Sequence, residues 1–146
     1  MTILTRGLLL LLLCGCGTRS GIVVAQKGES ATKLNLDHWL MTHPLEAGKE
    51  IAVQEIWRSE ASSAHIVQIR TAEKPHIHAT HDAVATLIRG YGTFHIGHQQ
   101  FDVGVGSTIT IPRGIRHYFV NTSGGPAVAL AVFSPPMLEP DYVEFP

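Results

Sequence analysis

The chain has 146 residues, 45% of them hydrophobic, which is enough for one domain with a real core. Eleven Lys and Arg against 12 Asp and Glu leave a net charge of −1, with no block of like charges. A nucleic-acid partner held through phosphates would leave a basic stripe, so the charge pattern argues against that class.

At the N-terminus, Arg6 supplies a short basic region and Leu8 to Leu13 an apolar run. That run falls well short of the roughly 20 residues that cross a bilayer, so the segment reads as a leader and not as a membrane helix. Leu13-Cys14-Gly15-Cys16 resembles the bacterial lipobox, in which the cysteine that follows a small residue is lipidated after cleavage. The resemblance implies a signal peptide over residues 1–15, lipid on Cys16 and membrane contact through that lipid only. Gly17, in place of Asp, implies the outer membrane, with the domain facing the periplasm. Cys14 would leave with the leader and Cys16 would carry lipid, so the mature domain keeps no thiol for a disulfide or a metal.

Residues 16–44 read as a tether and lead-in, small and polar from Thr18 to Thr32 around Ile22-Val23-Val24-Ala25. Asn35 to Thr42 suits one helical turn with Asp37 as N-cap, ended by Pro44. The remaining residues, 45–146, form the folded domain. Strands are expected at Glu50 to Trp57, His65 to Thr71, Val84 to Ile88, Thr93 to Ile96, Gln99 to Val105, Ser107 to Ile111, around His117, and at Ala127 to Phe133. Gly97-His98 reads as a hairpin turn. Pro135 and Pro136 bar the tail from a central strand. Many short strands without a long helix argue for an all-β sandwich or barrel.

Nine histidines are an excess for this length, and seven of them lie between His65 and His117. On an extended strand His76 and His78 point to the same face, and His117 adds a third imidazole from a distant strand. Burying three imidazoles in an apolar barrel is costly without a cation, and neutral imidazole is a common ligand for transition metals. His65 shares a face with Val67 and Ile69 and reads as a satisfied core residue, while His95 alternates away from the core and His98 sits in the expected turn. Gln68 and Arg70 take the opposite face from Val67, and Arg70 is a candidate pocket residue that would select an anion. Phe119, on the face of His117, is a candidate apolar wall.

The stretch Gly106, Pro112, Gly114, His117 and Asn121 resembles the second signature of the cupin family, Gly-x5-Pro-x-Gly-x2-His-x3-Asn, at every position. His76, His78 and Gly90 match the first signature, Gly-x5-His-x-His-x3-4-Glu-x6-Gly, in part. Where that motif carries glutamate, the count gives Asp82 from one side and Ala83 from the other. The resemblance implies a small double-stranded jelly-roll β-barrel that holds a divalent metal, with Zn, Fe, Mn, Ni and Cu not distinguished. The implied ligands are His76, His78 and His117 with Asp82 as the carboxylate or His81 as its substitute. Cupins include dioxygenases, isomerases, lyases and pure binding proteins, so the family names no reaction. Two functions follow as expectations. One is a lipid-anchored cell-envelope protein whose metal site acts on or binds a small-molecule ligand; the other is a non-catalytic periplasmic module for a small ligand or a metal. Exposed strands in such barrels often pair, so the resemblance is compatible with a homodimer, and the residues do not fix the oligomeric state.

Overall fold

The computed structural model describes residues 21–25, 28 and 30–145. The signal peptide expected over residues 1–15 and the lipid site at Cys16 lie outside them. Among the described residues, no helix is long and apolar enough to cross a membrane.

The described residues of the lead-in include two short strands and a helix. β1 (Ile22–Val24) pairs antiparallel with β2 (Thr32–Leu34), in register Ile22 with Leu34. A short helix α1 (Leu36–Thr42) follows, and its N-cap is Asn35, whose side chain accepts from the His38 N–H at 3.1 Å. The expected cap, Asp37, instead sits in the first turn and pairs with Arg89. That pair, the Gln68 amide donating to the His43 carbonyl at 2.8 Å and the Trp57 indole donating to the Ala25 carbonyl at 3.1 Å tie the lead-in to the barrel. Gln68 is therefore buried on the outer face of its strand, beneath the lead-in.

Ten strands build the barrel. They are β3 (Ile51–Arg58), β4 (Ser63–Ile69), β5 (His76–His78), β6 (Asp82–Arg89), β7 (Tyr91–Ile96), β8 (Gln99–Gly104), β9 (Thr108–Ile111), β10 (His117–Asn121), β11 (Ala127–Ser134) and β12 (Tyr142–Glu144). They form two five-stranded sheets, ordered β12-β5-β10-β7-β8 and β3-β4-β11-β6-β9. All the pairings are antiparallel, which gives the jelly-roll fold. The expected strands match these within a few residues. β5 is the extended His76–His78 segment, and the further strand β12 takes an edge position, which a tail following Pro135, Pro136 and Pro140 can occupy.

Inward-facing Val67, Leu87, Phe94, Ile111, Phe119 and Phe133 form the core between the sheets. Two motif residues shape the loops around it. Gly114 has φ +77°, a conformation that disfavours a side chain, and its N–H donates to the His78 carbonyl at 2.8 Å. This bond carries the turn after β9 onto the strand bearing the paired histidines. Asn121 donates to the Ile69, Arg70 and Gly125 carbonyls, closing the β10–β11 loop against the end of β4.

Candidate metal centre

The three strands β12, β5 and β10 are neighbours, and they bring the histidines together. His76 stands opposite His117 in register, and His78 lies two residues further along the same strand face. All three are buried, and one ring nitrogen from each lies within 4.8 Å of the others. Ring centroids are 4.2 Å apart for His76 and His117 and 5.2 Å for His78 with either neighbour.

Second partners fix which nitrogen each ring presents. His76 Nδ1 donates to the Lys74 carbonyl at 2.8 Å and His117 Nδ1 to the Ile115 carbonyl at 2.8 Å. A carbonyl can only accept, so the proton is on Nδ1 and the lone pair on Nε2. His78 Nδ1 donates to Asp141 Oδ1 at 3.0 Å, with the same result. With Nδ1 committed in each ring, Nε2 is the nitrogen each can present to the shared group, an arrangement that suits a cation, and ligating histidines commonly hold their other nitrogen this way. Three neutral imidazoles fit a divalent transition metal such as Zn, Cu, Fe or Ni. Burial pushes His76 and His117 down to about 4, and the proximity of His117 adds to the shift on His76, so both rings are neutral and ready to ligate at neutral pH.

The carboxylate expected beside them is elsewhere. Asp82 is half exposed and forms a two-pronged pair with Arg113, at 2.7 and 3.2 Å, reinforced by the Arg113 N–H at 2.9 Å. These bonds hold its carboxyl down to about 2. The pleat explains the outcome: successive residues of β6 face opposite sides, so Ala83 points inward and Asp82 outward. The inward position that could have carried an acid is Ala83, which lines the cavity. His81 is buried but is also outside the trio; its Nδ1 lies 2.6 Å from Asp141 Oδ2. Arg70 does not line the cavity either, because it alternates outward from Ile69 and donates to the Leu45, Glu46 and Lys49 carbonyls. Phe119 does line it.

The trio lines a cavity of about 440 Å³ between the sheets. Three further polar residues reach it that the sequence did not single out: Glu73, Asp141 and Tyr142. Glu73 Oε2 accepts from the Phe119 N–H at 2.9 Å, and burial pushes its carboxyl up to about 7. Asp141 is buried against its charge, but the Thr80 N–H, His81, His78 and the Thr80 hydroxyl outweigh that cost and hold it well below the usual carboxylate range. The Tyr142 ring stacks on His76 at 4.1 Å. No local pattern marks these three: Glu73 precedes Lys74-Pro75 in an apparent loop, and Asp141 follows a proline-rich tail.

An antiparallel jelly roll with three convergent imidazoles at the head of an apolar cavity defines a barrel for binding a small molecule or a metal ion. Residues 65–133 match the family model of the cupin domain. An uncharacterized protein of Aquifex aeolicus is 36% identical over 87 residues, which span 60% of this chain and 71% of that one. The chain belongs to the cupin family. In shape it is similar to a Klebsiella pneumoniae protein with a double-stranded β-helix domain, at TM-score 0.61 and 14% identity, covering 73% of this chain and 94% of that one. It is also similar to Streptomyces Pac13, a nucleoside dehydratase, in a form with uridine, at TM-score 0.56 and 17% identity, covering 66% of this chain and 79% of that one. Identities this low speak for the fold alone.

Proposed function

We propose that this protein is a lipid-anchored cupin of the bacterial cell envelope that holds one divalent metal at His76, His78 and His117 and binds or transforms a small molecule beside it. The observation that carries the metal is the common tautomer of the three rings, each with Nδ1–H held by an acceptor and Nε2 directed to a shared point. A divalent ion bound there would supply Lewis acidity and lower the pKa of a bound water. The chain's own residues do the rest. Asp141 fixes the His78 ring, Phe119 and the opposite sheet exclude water, and Glu73 offers a carboxyl near neutrality to a proton of the ligand. Lipid attachment rests on the Leu13-Cys14-Gly15-Cys16 segment, with Gly17 favouring the outer membrane and a domain in the periplasm.

Metal content by mass spectrometry, on the chain and on a His76→Ala, His117→Ala double variant, tests the centre. Near-stoichiometric metal is expected in the first and none in the second; none in either, with both folded, removes the metal from the proposal. Labelling with a radioactive fatty acid, lost in Cys16→Ser, tests the anchor. Non-catalytic capture of a ligand or a metal is the second reading, favoured by Ala83: with no carboxylate at that position the three grouped ligands are all neutral.

A further inference from the structure

We propose that the cavity takes a compact, largely apolar molecule with a single oxygen head group, its head at the histidine trio and Glu73 and its body against the second sheet. This rests on the cavity being a small-molecule site with the metal at its polar end. The two walls differ in kind. Every cavity-lining residue of the sheet β3-β4-β11-β6-β9 is apolar, among them Val53, Val67, Leu87, Ile109 and Ala131. The polar lining consists of Glu73, His76, His78, His117, Asp141 and Tyr142, all on or beside the neighbouring strands β12, β5 and β10.

Several of these polar groups are already committed. Asp141 is saturated by His78, His81 and Thr80, and the Tyr142 ring is stacked on His76. Glu73 Oε2 is held by Phe119, while Oε1 has no hydrogen-bond partner among the described residues. The polar groups of the cavity left for a ligand are therefore the histidine trio and Glu73, all on the side formed by β12, β5 and β10. A sugar or a nucleoside carries hydroxyls around its periphery, and those lying against the second sheet would lose water without a replacement. Each such unpaired hydroxyl weakens binding by about tenfold. An apolar body of the same size gains from that surface instead, and a cavity of about 440 Å³ has room for a body of two rings.

The test titrates the full chain, loaded with zinc, with 4-phenylphenol and with uridine by calorimetry, and measures zinc content on the same samples. The phenol is expected to bind at least tenfold tighter than uridine. Ala85→Leu and Ala129→Leu, which push bulk into the cavity from the second sheet, should each weaken the phenol by tenfold or more. Uridine binding as tightly as the phenol, no phenol binding, or phenol binding indifferent to both variants overturns the proposal. The zinc measurement separates the two readings: phenol bound without zinc would refute the metal centre and leave the ligand class standing, whereas zinc bound with uridine preferred would do the reverse.

Discussion

Asp141 accepts the Nδ1–H of His78 at 3.0 Å across 63 residues of chain, and its other oxygen lies 2.6 Å from Nδ1 of His81. One carboxylate from the C-terminal edge thereby orients a ligand ring and closes the loop that follows it. The Thr80 N–H adds a bond at 2.8 Å to the same group, so the position of β12 and the geometry of the metal centre are coupled.

Asp141→Asn should lower metal affinity by about 10- to 100-fold, the usual effect of losing a partner that orients a ligating histidine. A chelator-competition titration measures it. An unchanged affinity would mean that strand pairing alone holds His78.

Ala83→Glu places a carboxylate on the inward face of β6, where Ala83 is buried and lines the cavity. An anionic fourth ligand should tighten divalent metal by at least about tenfold, since a charged ligand adds direct attraction. The same substitution should destabilise the metal-free protein, because a buried, unpaired carboxylate is costly. If the metal-loaded and metal-free melting temperatures move together, the new side chain does not reach the ion.

Asp82→Asn should leave metal content unchanged, because the Asp82 carboxylate is half exposed and bound to Arg113. Stability should change little, as is usual for an exposed ion pair. Loss of metal in this variant would restore Asp82 as a ligand.

In the metal-free protein, His76 and His117 sit at about 4 in the fold against 6.5 as free groups. Between these values the unfolded chain binds more protons, so stability is full above 6.5 and is lost as pH falls through 4, by on the order of 3 kcal/mol per ring. Glu73 acts in the opposite sense: raised from 4.5 to about 7, it contributes stability that is full below 4.5 and lost as pH rises through 7. Urea denaturation from pH 4 to 7 should show stability rising with pH, and more steeply in Glu73→Gln. A flat profile in both proteins would contradict the neutral, desolvated state of the two rings.

The residue pattern alone determined an all-β sandwich or barrel, and the resemblance of two stretches to the cupin signatures implied the jelly roll and the grouping of His76, His78 and His117. Alternating strands with turn residues between them set the class, and the fixed spacing from Gly106 to Asn121 placed His117 after a turn that Gly114 makes feasible. Those signals are local, since a pleat and a turn are properties of a few adjacent residues. Counting back from Gly90 also pointed to Ala83, but only the pairing of β6 with β9 and β11 fixed which neighbour faces inward. A shift of one residue in a strand exchanges the two faces, and this sent Asp82 to solvent and to Arg113.

Tertiary structure alone decided the rest. Arg70 reads as a pocket residue in sequence, yet the segment just before β3 supplies it with the Leu45, Glu46 and Lys49 carbonyls on the outer face. Glu73, Asp141 and Tyr142 reach the cavity because β12 pairs with β5 and the β4–β5 connection is bonded to Phe119, contacts between segments far apart in the chain. Such side chains carry no periodic signal. Their roles come from which strand lies beside which, and that is fixed only when the two sheets close over a common core.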